Sequence, residues 1–309
     1  MPGRRVIVTG GAGFIGSHVV DAFVALGDEI VVVDNLSTGK RQHVNANARL
    51  EEIDIVDAPN LSNVFGEFAP QIVCHLAAQA SVTASVERPE FDLDVNVRGT
   101  LNVCDAAQSV GAVVVFASTG GALYGNNVPL PTPEALLPKP LSPYGASKLA
   151  GEGYVATWGR LHRLANVVLR LGNIYGPRQN PHGEAGVVAI FSERLLSGEK
   201  VTVYGHGEPT RDYVHVTDAA RAFVVAAERK RPGTYNVGTG HETSVSALLE
   251  LLQAAAGTTV ETELQPLRPG ELERSALDPS LIEQKLGWRA EISVEDGLAE
   301  TFRAYAATG

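Results

Sequence analysis

The chain has 309 residues, of which 44% are hydrophobic and 19% are charged, a composition typical of a globular protein with one large domain or a large and a small one. Its 25 basic and 35 acidic side chains give a net charge of −10, which argues against a nucleic-acid partner because such binding relies on a basic surface. No run approaches the ~20 apolar residues of a membrane helix, so no membrane partner is expected. No sorting segment is recognisable, and the expected location is the cytoplasm. Cys74 and Cys104 lack the spacing of metal ligands, so no metal site is expected.

The first predicted element is a short buried strand at residues 6–9, followed by glycines at positions 10, 11, 13 and 16 and then by the apolar pattern of a helix. This order points the first N–H groups of the helix at one place, where the helix dipole favours a diphosphate. The second predicted strand, residues 29–33, leads into Asp34, eighteen residues after Gly16. A carboxylate there can accept both hydroxyls of an adenosine ribose and would repel a 2′-phosphate. The sequence therefore predicts a dinucleotide site that takes NAD rather than NADP.

Strands and helices then alternate through the first half of the chain, which predicts a parallel sheet with helices on both faces. The remaining predicted strands of this sheet are residues 50–53, 72–76, 113–117, 167–171 and 235–238. The first of these leads to Asp54, whose carboxylate either reaches the adenine amine or caps the strand end. Small residues after the next one, Ala77 and Ala78, would let a ligand approach the backbone closely.

The alternation ends after residue 172, where polar turns, a short strand at residues 200–204 and several helices follow. The predicted helices of this half are residues 187–196, 217–228 with Thr217 as the cap, 244–256, 279–286 and 294–305. We therefore predict an α/β protein, a Rossmann-type doubly wound parallel sheet with a smaller discontinuous C-terminal α/β substrate domain. Residues 1–172 and 217–240 would form the NAD-binding domain, and residues 173–216 and 241–309 would form the smaller domain.

A candidate catalytic pair lies on the helix predicted to follow Ser142, where Tyr144 and Lys148 share one face at a spacing of four residues. A phenol titrates near pH ~10, and a nearby cation lowers its pKa by favouring the phenolate. Such a pair can act as a general base at neutral pH. Ser118 and Thr119 follow the fifth strand, at the edge where parallel sheets bind ligands. Either hydroxyl could share the substrate proton with Tyr144, and Thr119 is preferred because it lies nearer the strand end.

Several motifs in this order make the chain similar to the extended short-chain dehydrogenase/reductase family: TGGAGFIG, DNLSTG, HLAAQ, the Ser118–Thr119 strand end, YGASK and LRLGNIYGP. RDYVHVTD, YNVGTG and RPGE extend the resemblance to nucleotide-sugar enzymes, most closely to the UDP-glucose 4-epimerases. The resemblance covers nearly the whole chain. It implies NAD-dependent 4-epimerisation of a UDP-hexose through a transient 4-keto sugar, in a homodimer joined by the helix at residues 92–109 and the helix after Ser142.

The resemblance also implies roles for individual residues. It makes Tyr144 the base, places Lys148 on the nicotinamide ribose, gives Asn96 a structural and cofactor-side role, and places Glu271 on the uridine ribose. The residues that it places at the cofactor are Gly10, Gly13, Phe14, Ile15, Gly16, Asp34, Asn35, Ser37, Thr38, Gly39, Asp54, Ile55, Leu76, Ala77, Ala78, Gln79, Asn96, Tyr144 and Lys148. The residues that it places at the substrate are Thr119, Tyr144, Asn173, Val188, Thr202, Tyr204, Arg211, Arg268, Glu271 and Ser275. Among these, Asn173, Arg211 and Arg268 would bind the diphosphate, and Ser275 would face the C2 substituent of the sugar.

The chain departs from the family pattern at one point, because the family usually has one residue fewer between the catalytic hydroxyl and the following Tyr-Gly, here Tyr124-Gly125. The departure leaves the choice between Ser118 and Thr119 open. Two rival reactions are disfavoured. Related dehydratases carry Asp-Glu where this chain has Gly120-Gly121, which can transfer no proton, and related decarboxylases carry a glutamate that is missing from this strand end. A non-catalytic NAD-sensing scaffold would need neither the Tyr-Lys pair nor the strand-end hydroxyls.

Overall fold

The computed structural model of the chain describes residues 3–182, 186–267 and 272–308. Its strands, numbered along the chain, are β1 (Arg5–Thr9), β2 (Glu29–Val33), β3 (Ala48–Glu51), β4 (Ile72–His75), β5 (Val113–Thr119), β6 (Val167–Leu171), β7 (Asn173–Tyr175), β8 (Val201–Tyr204), β9 (Thr210–Arg211), β10 (Tyr213–His215), β11 (Gly233–Val237), β12 (Thr243–Ser244) and β13 (Thr262–Gln265). The α-helices are α1 (Phe14–Ala25), α2 (Ala58–Phe68), α3 (Val82–Glu87), α4 (Pro89–Leu93), α5 (Gly99–Ser109), α6 (Pro143–His162), α7 (Val187–Ser197), α8 (Val216–Arg229), α9 (Val245–Ala256), α10 (Ser280–Leu286) and α11 (Val294–Thr308).

The central layer is a seven-stranded sheet in the order β11-β6-β5-β4-β1-β2-β3, and all of its strand pairs are parallel. The chain moves outward from β1 to β3 and then returns to the other side of β1 with β4. Ligands bind at such a switch point, outside the carboxyl ends of the strands. The predicted Rossmann-type doubly wound sheet is therefore confirmed.

Successive residues of the buried strands contact opposite faces of the sheet, as the pleat requires. Val6 and Val8 pack in one apolar cluster, which contains side chains of α1 and α8, whereas Ile7 packs in a second cluster, which contains side chains of α2, α5 and α6. The strands are rich in valine and isoleucine, and helices therefore pack on both faces of the sheet. The carboxyl ends of the parallel strands lie along one edge.

Three small sheets lie beyond the central one: β7 pairs with β10 in parallel, β9 pairs with β12 antiparallel, and β8 pairs with β13 in parallel. A third apolar cluster joins residues of α7, α9 and α11. However, Ile282, Leu286 and Trp288 pack in the same cluster as the central sheet. A domain boundary at residue 241 would thus divide a shared core, and the two-domain division stays a prediction.

Three local predictions differ from the structure. β3 ends at Glu51, so Asp54 lies three residues beyond the strand, just before a turn. The helix predicted at residues 92–109 begins at Pro89 and includes a π-helical turn at Asp94–Arg98. The N-cap of α8 is His215, whose ring accepts a hydrogen bond from the Thr217 N–H, so Thr217 is not the cap. In the described ranges no helix has both the length and the apolarity that crossing a bilayer requires.

Candidate active site

The glycine-rich turn between β1 and α1 packs too tightly for side chains. Gly10 has a φ of +72°, and a Cβ there would lie 2.6 Å from the Ala77 nitrogen. A Cβ on Gly16 would lie 2.1 Å from the Gly10 oxygen. Glycine is therefore required at both positions, because the turn folds back on itself and against the segment after β4.

The N-terminus of α1 is arranged to receive an anion. Its N-cap is Gly13, which has no side chain to cap the first turn, so the N–H groups of Phe14, Ile15 and Gly16 have no intrahelical acceptor. The helix dipole adds positive charge at the same place. These residues, predicted from the sequence to bind the cofactor diphosphate, fit that group.

The carboxylate of Asp34 is held at the end of β2 by two main-chain donors. The Ala12 N–H donates to Oδ2 over 3.0 Å and the Leu36 N–H to Oδ1 over 2.8 Å. The side chain is mostly buried, with 7% of the residue exposed. Since a carboxylate oxygen accepts more than one hydrogen bond, Asp34 can still accept from ribose hydroxyls in this fixed orientation.

The loop after β2 is tied to the segment after β3. Asn35 donates from Nδ2 to Asp54 Oδ2 over 2.8 Å and accepts from the Ser37 N–H over 3.0 Å. Thr38 is exposed and Gly39 packs against Asp34, where a Cβ would lie 2.9 Å from Oδ1. Asp54 thus orders the loop predicted to cover the adenosine. Contact of Asp54 with the adenine stays a prediction.

The segment after β4 is fixed by Asn96, which belongs to the π-helical turn. Asn96 accepts the Gln79 N–H over 3.0 Å and donates to the Gln79 oxygen over 2.9 Å, to Asp92 over 3.0 Å and to Ser147 of α6 over 3.1 Å. Leu76, Ala77 and Ala78 of this segment are half-buried, and Ile55 packs under Gly99 at the start of α5. Asn96 therefore joins two predicted cofactor segments to the helix that carries Tyr144 and Lys148.

The predicted catalytic pair lies on α6, whose N-terminus is capped by Ser142 through a hydrogen bond from the Gly145 N–H of 3.2 Å. The Tyr144 phenol lies near the Thr119 hydroxyl at the end of β5, and this hydroxyl acts to lower the pKa of the phenol. Lys148 is buried, donates to the Ala117 oxygen over 3.0 Å and lies 4.9 Å from the centre of the Phe116 ring. The structure thus brings the phenol and the strand-end hydroxyl together at the sheet edge, with the ammonium fixed on the same strand.

Burial dominates the electrostatics of this pair. Burial raises the pKa of the Tyr144 phenol to about 12, and the Asp92 carboxylate also raises it. The nearby Thr119 hydroxyl lowers this pKa but does not offset burial. Burial also lowers the pKa of Lys148 to about 8, while the carboxylates of Asp92 and Glu152 raise it. Lys148 is therefore mostly charged at neutral pH. The chain's own groups do not make Tyr144 a neutral-pH base, so a further positive charge is needed for the phenolate.

Ser118 contacts a different residue of α6 from Tyr144. Its hydroxyl donates to Glu152 over 2.5 Å, and Glu152 also accepts from Arg170 over 2.7 Å; all three residues are buried. Because Glu152 engages the Ser118 hydroxyl, Thr119 is the strand-end hydroxyl that remains for Tyr144. The geometry supports Thr119 as its partner.

The predicted substrate residues lie on separate elements beyond the carboxyl edge of the sheet. Asn173 begins β7, Thr202 and Tyr204 lie on β8, Arg211 ends β9, and Ser275 is half-buried after the second gap in the described residues. Val188 is 1% exposed and packs in the apolar cluster of α7, α9 and α11. Arg268 and Glu271 lie outside the described residues. The substrate roles stay predictions.

Sequence reasoning missed three buried acids near the site. Asp92 accepts from Gln79 and Asn96, Glu152 accepts from Ser118, and Asp212 accepts from the segment after β11. Glu152 could have been found, because it lies four residues after Lys148 on the face that Tyr144 and Lys148 share. Over the described ranges, no group of three or more His, Cys, Asp or Glu side chains is placed to hold a metal ion.

A doubly wound sheet with a glycine turn after its first strand, and a Tyr-x-x-x-Lys helix beside the end of its fifth strand, define the class of extended short-chain dehydrogenases/reductases. Comparison with known proteins is consistent with this class. A model of the NAD dependent epimerase/dehydratase family matches residues 6–238. The chain belongs to this family.

The relatives are similar along the whole chain. A UDP-glucose 4-epimerase of Mycolicibacterium smegmatis is 44% identical over 96% of this chain and 97% of its own. The structure of a Thermotoga maritima UDP-glucose 4-epimerase with UDP-glucose superposes with a TM-score of 0.95 at 45% identity, covering 98% of this chain and 99% of that one. A Thermus thermophilus UDP-glucose 4-epimerase in complex with NAD gives a TM-score of 0.93 at 45% identity, with coverage of 99% and 100%.

Proposed function

We propose that this protein is an NAD-dependent isomerase that interconverts UDP-glucose and UDP-galactose by inverting C4 of the sugar. The observation that carries the proposal is the proximity of the Tyr144 phenol and the Thr119 hydroxyl, beside the buried Lys148, in a chain about 45% identical to UDP-glucose 4-epimerases over nearly its full length. The pair supplies a proton acceptor and a positioning hydroxyl at the sheet edge, where the family binds its substrates.

Tyr144 would accept the proton of the sugar 4-hydroxyl, and Thr119 would hold that hydroxyl through a shared hydrogen bond. Bound NAD would supply reversible hydride transfer at C4 and a cationic ring that favours the phenolate. Lys148 would bind the nicotinamide ribose and keep a positive charge beside the phenol. Asn173 and Arg211 would hold the diphosphate while the keto sugar turns, since a guanidinium suits phosphate oxygens.

A dehydratase is the rival reaction, and the packing around β5 argues against it. A Cβ on Gly120 would lie 2.3 Å from the Leu277 side chain, so the position after Thr119 has no room for an acid. Elimination of water from the keto sugar needs a proton donor near that place. The Gly120-Gly121 pair offers none.

The deciding experiment supplies the purified protein with UDP-galactose and follows the formation of UDP-glucose. Nucleotide released on denaturation is identified in the same preparation, with NAD expected. Conversion to a dehydrated sugar, or no conversion by protein that holds NAD, would reject the proposed reaction.

NAD is expected to bind more tightly than NADP, because the fixed Asp34 carboxylate would repel a 2′-phosphate. Asp34→Ser should reduce this preference by roughly tenfold or more, about the effect of 1.4 kcal/mol. Titration of both cofactors into the native protein and the variant measures it. Tighter binding of NADP by the native protein would contradict the assignment of Asp34.

Thr119→Ala is expected to lower turnover more than Ser118→Ala does at equal substrate saturation. The Thr119 hydroxyl lies near the Tyr144 phenol, whereas the Ser118 hydroxyl donates to Glu152. Ser118→Ala should mainly lower stability, by about 1–3 kcal/mol, because it removes a buried donor from a carboxylate. Steady-state kinetics and urea unfolding separate the two effects. The reverse order of turnover would make Ser118 the catalytic hydroxyl.

We infer that UDP-N-acetylglucosamine and UDP-N-acetylgalactosamine are also substrates. Ser275 is half-buried, and its N–H is held by the Thr210 oxygen over 3.2 Å. A small side chain there leaves room for an acetamido group if it faces C2. Ser275→Tyr should lower turnover of the N-acetylated pair at least tenfold, since overpacking costs about 1–3 kcal/mol. UDP-glucose turnover and the Ser275→Ala variant are the controls; an equal loss on both sugar pairs would exclude Ser275 as the gate.

A homodimer and a cytoplasmic location complete the proposal. Large apolar side chains are exposed on and next to the helices predicted to join the protomers: Val86 on α3, Phe91 and Leu93 on α4, and Tyr154 and Leu161 on α6. An exposed group of this kind favours association. Sedimentation velocity measures the mass in solution, and cell fractionation tests the location.

A further inference from the structure

Asp212 lies between β9 and β10 and is only 1% exposed. Its carboxylate accepts the N–H of Thr239 over 2.8 Å and the hydroxyl of Thr239 over 2.6 Å. It also accepts the N–H groups of Gly240 and Leu277, each over 3.1 Å. One side chain therefore joins the segment after β11 to the segment before α10, which are far apart in sequence.

The surrounding backbone is shaped for this carboxylate. A Cβ on Gly238 would lie 2.6 Å from Asp212 Oδ2 and 2.8 Å from the Leu277 Cβ. A side chain at position 238 would thus displace both groups. The close approach of three segments at one point indicates a junction with little room to shift.

The segments that meet at Asp212 carry predicted substrate residues. The Asp212 main-chain oxygen accepts the N–H of Asn173 over 2.8 Å, and Arg211 precedes Asp212 in the chain. Ser275 lies two residues before Leu277, whose N–H is held by the carboxylate. The Leu277 side chain packs where a Cβ of Gly120 would lie, directly after Thr119.

We propose that Asp212 is the positioning residue of the nucleotide-sugar site: its carboxylate and main chain fix Asn173, Arg211 and residues 275–277 relative to the end of β5. The inference rests on the proposed function. It assigns Asp212 no contact with the substrate; its effect passes through the backbone that it holds. The spacing of these groups determines how the diphosphate binds and where residues 275–277 lie relative to Thr119.

Asp212→Asn is the main test, because it keeps the shape of the side chain and turns one acceptor into a donor. The new NH₂ group would face N–H groups that already donate, so the junction must open. We expect the Kd for UDP and the KM for the UDP-sugar to rise at least tenfold, with the content of bound NAD unchanged. Calorimetry with UDP and steady-state kinetics measure these values.

Asp218→Asn is the matched control. Asp218 is 2% exposed and its carboxylate likewise accepts two backbone N–H groups, those of Glu291 and Ile292, each over 2.9 Å. Those contacts hold the segment after α10 and none of the predicted substrate residues. This variant should lose stability but keep the native affinity for UDP. Equal losses of UDP affinity in both variants, or none in Asp212→Asn, would overturn the proposal.

Thr239→Ala is the alternative test of the positioning role if the Asp212→Asn variant does not fold. It removes the hydroxyl that donates to Asp212 and accepts the His241 N–H, and it leaves the main-chain donors to Asp212 in place. The Kd for UDP should rise by roughly two- to fivefold, and an unchanged Kd would count against the positioning role. Because UDP binding is measured without turnover, a native protein that binds UDP but epimerises nothing would reject the proposed function and leave this inference standing.

Discussion

Tyr144→Phe is expected to lower turnover of UDP-galactose by ~10²–10⁴-fold, the range typical of a lost general base. The variant keeps the ring on α6 but removes the phenol oxygen that lies near the Thr119 hydroxyl. Burial of Lys148 and its bond to the Ala117 oxygen do not involve that oxygen, so the cofactor should stay bound. Turnover is measured at saturating substrate, and bound NAD is counted by release on denaturation.

Tyr235→Phe is the control for this prediction. Tyr235 lies on β11, and its hydroxyl donates to the Arg231 oxygen over 3.2 Å. Removing this hydroxyl should leave turnover within about twofold of native, because the change costs one ordinary hydrogen bond away from the site. Near-native activity of Tyr144→Phe would remove the proposed mechanism, whatever the control shows.

The sequence predicted the sheet well because its strands have local signatures. The bounds of β2 and β6 agree with the prediction, and Ser142 caps α6 as expected. Apolar runs bounded by glycine or polar turns and an N-cap followed by proline are visible within a few residues. The end of β3 was misplaced because an apolar pattern continues through Ile53 and Ile55, although hydrogen bonding to β2 ends at Glu51.

Contacts between distant segments could not be predicted in the same way. The cap of α8 is His215, although propensity favours Thr217, because the tertiary fold places the imidazole over the helix start. The choice between Ser118 and Thr119 depended on which side chain of α6 each hydroxyl meets: Ser118 meets Glu152, and Thr119 lies near Tyr144. The environment of Ser118 is determined by Glu152 and Arg170, which are eighteen residues apart, and no local sequence pattern predicts that these two residues pair.

The Arg170–Glu152 pair supports the second large expected effect. Both side chains are 7% exposed; Arg170 Nη2 and Nε donate to Glu152 over 2.7 and 2.9 Å, and Nη1 donates to the Tyr124 hydroxyl over 2.7 Å. Glu152→Gln leaves the guanidinium buried without its counter-charge. We expect a loss of about 3–5 kcal/mol of unfolding free energy, because breaking a buried pair costs more than the pair itself contributes.

The exposed pair Arg41–Glu52 provides the comparison, with its side chains 65% and 56% exposed. Glu52→Gln should cost less than about 1 kcal/mol, since water screens such a pair. The double variant Glu152→Gln with Arg170→Met should recover part of the loss by removing the unpaired charge. Urea unfolding of the four proteins measures these differences. Equal small losses of unfolding free energy for Glu152→Gln and Glu52→Gln would mean that water reaches the buried pair. The position of α6, which carries Tyr144 and Lys148, would then not depend on the Arg170–Glu152 pair.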